Sequence, residues 1–352
     1  MTLSSEALSS TRVDVVGTID DAIELCYQRG WTDGLPVVPP TEEKVLAFLE
    51  MSGREPSDII GVEPVRGRVI TAEKVAINAV MAGCHPEYTP VVIATVEAMV
   101  QPEYSLHGSS ASTGGSAPLM IINGPIRNKL EFQSGHNLFA GGPQFRANAT
   151  VGRAIRLVLI NVLENHPGVL DRSTLGHGGK FSFCFAEDEE GSPWEPLHVE
   201  KGFRPDASTV TVAASQATLQ VGHRRVGTVE GIMDSVADAM LALGSSNSEV
   251  YMVLPPEHMK VIKEAGWSKG QVRQYLFDKA QRTAQQWADA NVDELPAPGA
   301  EKELVPVLKR PESLVLVAGG GTGGSTCALI PRWSKGATAA SVTREIDTSR
   351  IM

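Results

Sequence analysis

Cysteine is scarce and scattered in this chain: Cys26, Cys84, Cys184 and Cys327 stand far apart, with no Cys-x-x-Cys pair. That spacing excludes a disulfide framework and a zinc ribbon, and leaves free thiols as the default. Long apolar runs are also missing, since none reaches the roughly 18 residues that span a bilayer. The stretch from Met1 to Val13 is Ser/Thr-rich and has no apolar segment of the kind a signal peptide carries. Positive charge falls short of negative, 31 Lys and Arg against 41 Asp and Glu, for a net charge of −10. Such a balance argues against nucleic acid or an anionic membrane as partner. No His-Glu-x-x-His spacing is present either. These absences lead us to expect a cytoplasmic protein with a small-molecule partner.

What the chain does have is a pair of similar glycine-rich stretches. Ser105-Leu106-His107 leads through Thr113-Gly114-Gly115-Ser116 into the apolar Ala117 to Ile122. Ser313-Leu314 leads through Thr322-Gly323-Gly324-Ser325 into Thr326 to Pro331. Glycine permits positive φ and leaves backbone N–H groups uncovered, so such loops can cradle an anion or a polar head group. We expect the two loops to face one pocket between duplicated lobes. His107, Thr113, Gly114, Gly115, Ser116, Thr322, Gly323, Gly324 and Ser325 would then contact substrate. The competing reading is two tight turns between strands. A third, degenerate copy over Ser208 to Leu219 rests only on a Val-rich strand and Ala213-Ala214-Ser215.

Helices are expected over Thr18 to Arg29, from Glu42 with Thr41 as cap, and over Ala72 to Met81, Thr89 to Val100, Arg146 to Asn165, Gly227 to Leu243 and Pro256 to Asp289. Strands are expected at Thr209 to Ala213 and Glu249 to Leu254. The fold class is mixed α/β: two pseudo-repeated lobes with a docked, β-rich C-terminal segment. Residues 1–290 form the body, with a lobe boundary near 165–205. The proline-rich 291–311 is a linker, and 312–352 carries the second loop. A segment of ~40 residues seldom folds alone, so it would dock on the body.

Four clusters can carry chemistry. Cys84 and His85 sit at an expected helix break, where free N–H groups lower a thiol pKa; a buried structural cysteine is the alternative. Phe181 to His198 delivers Glu187, Asp188, Glu189 and Glu190 at the end of an apolar strand, followed by Trp194 and His198. Glu187, Glu189 and His198 are candidate acid–base groups or ligands of a divalent metal, and Trp194 a pocket wall that raises one carboxyl pKa. A solvated acidic turn is the alternative. Arg146 and Asn148 at a helix N-terminus would point donors at an anion. His223-Arg224-Arg225 reads as a basic surface or interface patch.

Gly30-Trp31-Thr32-Asp33-Gly34-Leu35-Pro36-Val37-Val38-Pro39-Pro40-Thr41, Met81 to Cys84, Arg146 to Thr150 and Glu189 to Glu200 resemble strings of the bacterial UGSC family of (seleno)proteins. The resemblance covers roughly Ile19 to Lys279. That family takes its name from a Sec/Cys-Gly-Ser-Cys motif, which implies thiol or selenol chemistry on small molecules. This chain lacks Cys-Gly-Ser-Cys; its nearest string is Gly323-Gly324-Ser325-Thr326-Cys327, so a dithiol cycle is not expected.

The reading is an enzyme, homo-oligomeric, acting on a small polar or anionic metabolite. Cys84 would be nucleophile or redox thiol, with Glu187, Glu189 and His198 for acid–base work. Lyase, hydratase or hydrolase chemistry stands ahead of redox, with no organic cofactor and a divalent metal as an option. The alternatives are a metal-dependent hydrolase or lyase using the same Glu and His groups, and a non-catalytic binding subunit.

Overall fold

The computed structural model describes residues 4–223, 227–334 and 339–351. The first part of the chain is helical. It contains α1 (Ile19–Gln28), α2 (Glu42–Ser52), a hairpin of β1 (Ile59–Glu63) and β2 (Arg68–Thr71), then α3 (Ala72–Ala82), α4 (Thr89–Met99) and the short α5 (Leu106–Ser110). The middle of the chain holds β3 (Ala117–Asn123), then α6 (Ile126–Lys129), α7 (Arg146–Asn161), β4 (Cys184–Ala186), α8 (Leu197–Glu200), β5 (Thr209–Ser215) and β6 (Leu219–Gly222). The second half holds α9 (Val229–Met240), β7 (Val250–Leu254), α10 (Pro256–Ala265), α11 (Lys269–Lys279), β8 (Gln281–Thr283), α12 (Ala284–Asp289), β9 (Leu304–Pro306), β10 (Leu314–Ala318), β11 (Thr326–Pro331) and β12 (Val342–Glu345).

Local chemistry sets these boundaries. The Thr71 side chain accepts from Lys74 N–H to open α3, and Gly83, at φ 85°, closes it in the left-handed conformation. The helical region expected from Pro256 to Asp289 is broken twice. Gly266, at φ 69°, ends α10, and β8 interrupts before α12.

Two four-stranded sheets stack face to face with helices outside them. Their orders are β4-β3-β5-β12 and β10-β7-β11-β6. In each, an edge strand runs parallel to its neighbour (β4 to β3, β10 to β7), and the other two pairings are antiparallel. The period-2 alternation of side chains sorts the layers. Leu119 and Ile121 of β3 and Phe185 of β4 meet Tyr251, Val253, Val317 and Ile330 between the sheets. Met120 and Ile122 turn outward to the helical layer of α2, α3, α4 and α7, whereas Met252, Leu254 and Leu316 turn to that of α9, α10 and α11. Both faces of each sheet are covered, which explains strands that read as unbroken apolar runs.

The repeat is genuine, but it does not relate the two glycine loops. β3 corresponds to β7, β4 to β10 and β5 to β11. The first glycine loop precedes β3 and the second precedes β11, which are different places in the pattern. The weaker third match fits instead: Ser208-Thr209 stands to β5 as Ser325-Thr326 stands to β11. Ile346 N–H donates to Ser208 O at 2.8 Å, and His223 N–H to Ser325 O at 2.9 Å.

The lobes also exchange strands. After β5 the chain crosses at residues 216–218, later than the 165–205 boundary expected, and β6 joins the second sheet. After β11, β12 returns to the first sheet. The crossing strands bridge at Ser215 and Arg332. The C-terminal segment is β-rich as expected, yet it is woven in rather than docked, because β11 lies between β7 and β6. The presumed linker contains β9, which pairs with β8.

Candidate functional site

Cys84 lies just past α3, beside a cleft of about 230 Å³ lined by Val38, Phe48, Val80, Cys84, Lys44 and Arg146, among others. Three separate segments build it. Val38 N–H donates to Met81 O at 3.1 Å. Arg146 Nε donates to Gly83 O at 2.7 Å, and its Nη1 lies 2.9 Å from His85 Nε2. Arg153, further along α7, grips Asp33 through two hydrogen bonds of 2.9 and 2.8 Å and also donates to Pro36 O. Asn161 ties Trp31 O to the same helix.

The expected activation of Cys84 is not found. Its own N–H donates to Ala79 O at 3.0 Å, and Gly83 N–H is taken by the end of α3. The amides of Gly83 and Cys84 expected to be free at the helix break are therefore spent on α3. Burial pushes the thiol up to about 12, against the opposing pull of Thr150, Arg146 and Arg153. The other three cysteines are also buried and shifted upward by burial. Cys84 is thus a protonated group at neutral pH. Asn148 is not an anion donor either: its amide oxygen accepts Gln133 N–H at 2.8 Å and its amide nitrogen donates back to Gln133 O, which fixes the loop before α7.

The acidic turn is a buried network rather than a solvated edge. It lies at the carboxyl ends of the parallel strands β3 and β4. Glu187, 1% exposed, accepts from Asn123 Nδ2 at 2.6 Å and Leu197 N–H at 2.8 Å. Burial pushes its carboxyl up to about 7. Glu189 accepts from Asn123 Nδ2 and Gly124 N–H and pairs with Arg127 at 3.0 Å. Arg127, 4% exposed, also reaches Glu190 and Glu187 O. His198 is fully buried, with Nε2 on Pro205 O at 3.3 Å and Nδ1 3.8 Å from Glu189. Glu189 is committed to protein donors, whereas Glu187 Oε1 and His198 Nδ1 have no partner; the three do not gather closely enough to be grouped as ligands of one ion. The Trp194 indole N–H donates to Trp267 O, and its ring packs on the second lobe's helical core.

The glycine loops do not share a pocket. At the first, Gly114 packs on the Trp333 indole, and Gly115, at φ 69°, lies against Gly176. Ser116 faces a cavity of about 10 Å³, room for one water, beside Arg156 and Lys180, both of which pair with Asp171. His107 sits apart, 3.4 Å from Glu63 at the end of β1. The second loop belongs elsewhere: Gly323 N–H donates to Glu257, His136 packs on Gly321, and Ser325 O holds His223 N–H. Ala117, next to Ser116, pairs with Ser215, which bridges Arg332 at the far end of β11 from Ser325. The six residues of β11 span ~20 Å at ~3.3 Å per residue, so the loops lie at opposite ends of the sheets. The acidic turn is likewise across the length of β3 from the first loop.

One constellation escaped the sequence reading. The ligand atoms of His223, His258 and Cys327, all buried, lie within 4.8 Å of one another, the one such grouping of three among the described residues. His223 is therefore no surface residue; Arg224 and Arg225 lie outside the described residues. The apolar run around Cys327 and the Pro-Pro start of α10 before His258 were visible, but nothing in the sequence spacing joins them.

Among the described residues no helix is long and apolar enough to cross a membrane. No protein-family model matches the chain, and no curated protein or solved structure matches it.

Proposed function

We propose that this protein is an enzyme of small-anion metabolism whose substrate occupies the Cys84 cleft. The observation that carries the reading is convergence. Gly30 to Thr41, Met81 to Cys84 and Arg146 to Thr150, three of the four strings behind the UGSC resemblance, assemble around one cleft holding two cations and a thiol. Lys44 and Arg146 suit a carboxylate or phosphate head group, while Val38, Phe48 and Val80 offer an apolar wall for the rest of the molecule.

The thiol narrows the chemistry. A thiol held protonated by burial is a poor nucleophile and meets a ligand first as a hydrogen-bond donor. A lyase or hydratase step, in which Cys84 protonates a carbon or a leaving group, therefore fits better than disulfide exchange. The thiolate left behind must regain a proton from solvent, and we assign that return to the exposed His85, held on Arg146.

The test is ligand-induced stabilisation with a panel of small carboxylates and phosphate esters. The best ligand should raise the thermal midpoint by several degrees at saturating concentration, since 100 Kd of ligand contributes about 2.7 kcal/mol. Lys44→Ala with Arg146→Ala should abolish that shift, whereas Cys84→Ser should keep binding and lose turnover. A shift that survives the double substitution, or a panel with no effect on the wild type, overturns the reading. Full turnover by Cys84→Ser would leave the cleft a binding site without thiol chemistry.

A further inference from the structure

At one corner of the second sheet, β6 ends, β11 begins and α10 makes its first turn. His223 follows β6, Cys327 is the second residue of β11, and His258 is the third of α10. Cys327 Sγ lies 3.8 Å from His223 Nε2, and the two imidazole rings meet edge to face with centroids 4.8 Å apart. We infer that this corner binds one transition-metal ion of the zinc class through His223, His258 and Cys327.

Geometry supports this first. Tetrahedral bonds of ~2.0–2.1 Å to nitrogen and ~2.3 Å to sulfur place ligand atoms roughly 3.4–3.6 Å apart. The His223–Cys327 pair is already near that spacing, and the group as a whole needs to close by only about 1 Å. Hydrogen bonding supports it second. His258 is fully buried, yet neither ring nitrogen makes a well-formed hydrogen bond, the Ser325 backbone offering only a weak contact. Buried polar atoms are nearly always paired, so a buried imidazole with two unsatisfied nitrogens calls for a ligand.

The third argument comes from the repeat. His223 occupies the place of Ile346, as their matched N–H bonds to Ser325 O and Ser208 O show. Cys327 follows Thr326 as Val210 follows Thr209, with Gly222 and Glu345 paired opposite those threonines. Counting from the paired residues Leu254–Ala318 and Ile122–Ala186, His258 stands where the first lobe has Ile126. Ile126, Val210 and Ile346 are all buried in one apolar core. The fold thus fills this corner with hydrocarbon when nothing is bound there, and the second lobe replaces all three residues with metal-ligating types.

The donor set selects the ion. Two imidazoles and a thiolate suit Zn²⁺, Co²⁺ or copper, and do not suit Mg²⁺ or Ca²⁺, which take oxygen. On binding, the metal–sulfur bond replaces the Cys327 S–H bond and the proton leaves to solvent. Three protein ligands leave a fourth position open. The second glycine loop flanks it, held by Ser325 O and by Glu257, whose Oε2 is buried without a partner. A metal-bound water could donate to that oxygen.

Titration of the chelator-treated full chain with Co²⁺ tests the site. The wild type should bind one equivalent and show the near-ultraviolet sulfur-to-cobalt charge-transfer band with the intense visible bands of a tetrahedral ion. Cys327→Ser should lose the charge-transfer band, and His258→Gln should weaken binding at least a hundredfold. Cys84→Ser should leave both readouts unchanged. Substoichiometric binding by the wild type, absence of the sulfur band from it, or a band that persists in Cys327→Ser overturns the inference. The wild-type spectrum decides the matter even if a variant fails to fold.

Discussion

The corner of Ile126, Val210 and Ile346 in the first lobe and that of His258, Cys327 and His223 in the second occupy matched places, yet only the second leaves ring nitrogens without partners. The turns beside them differ in the opposite sense. After β4 comes Glu187-Asp188-Glu189, tied down by Asn123, Gly124 and Arg127. After β10 comes Gly319-Gly320-Gly321, which carries no side chains to tie down. The first lobe's turn holds Glu187 and Glu189 on these donors, although Asn123 Oδ1, Glu187 Oε1 and His198 Nδ1 also lack partners, so the contrast is confined to the matched corner. At that corner hydrocarbon packs in one lobe and an unpartnered imidazole stands in the other, which marks a place for something from outside.

This contrast can be broken or sharpened by substitution. The largest effect should come from Arg127→Ala, which strands Glu189 beside the buried Glu187. Removing one partner of a buried ion pair costs about 3–5 kcal/mol, read as a lower urea midpoint. A cost below ~1 kcal/mol would mean that the acidic turn is not structural and would restore it as a candidate site. Next, giving the second lobe the first lobe's residues, by His223→Ile, Cys327→Val and His258→Ile together, should abolish metal binding. It should also stabilise the metal-free protein, because each unsatisfied buried polar group removed is worth about 1–3 kcal/mol. A destabilised triple variant would show that the three residues support one another without a metal.

The smallest effect is one of pH and concerns Glu187. Its folded pKa, about 7, lies above the ordinary 4.5, so the folded state keeps a proton that the unfolded state has lost. The associated stability is fully present below about pH 4.5 and is lost as pH rises through about 7. Glu189, His198, Arg127 and Lys269 surround it, but burial is the leading cause. Between pH 5.5 and 6.5 the wild type should lose about 1 kcal/mol. Glu187→Gln, whose carbonyl can still accept from Asn123 and Leu197, should remove this part of the slope. An unchanged slope would place the titration elsewhere.

Much of the fold was legible because burial writes simple periods. The amphipathic rhythm of Val151, Ile155 and Leu159 gave α7, and the Val-rich runs gave β5 and β7. The repeat was visible but misaligned. Thr-Gly-Gly-Ser is eye-catching since glycine loops have few alternatives, whereas the true correspondence rests on hydrogen-bond register and shares little beyond Ser208-Thr209 and Ser325-Thr326. Arg146 and Cys84 were found through local strings and do meet in one cleft, although the expected thiol activation assumed free N–H groups that the Gly83 cap consumes. Lys44 was missed, as a lysine on an exposed helical face gives no sign of which cavity it borders. His223 was misread through its neighbours, Arg224 and Arg225. Its partners Cys327 and His258 are joined to it only by the antiparallel pairing of β6 with β11 and the return of α10 after β7.

The exchanged strands set the order in which this molecule can be made. Thr343 of β12 meets Thr211 of β5, 132 residues earlier in the chain. As the chain leaves the ribosome, β3, β4 and β5 emerge with one edge unpaired, and they stay so until almost everything else has been synthesised. The first lobe therefore cannot finish before the second. A bare strand edge invites pairing with other chains, and contacts of such long sequence separation form slowly. The nascent protein thus passes through an extended interval in which a chaperone, or a second nascent copy, can reach the β5 edge before β12 does.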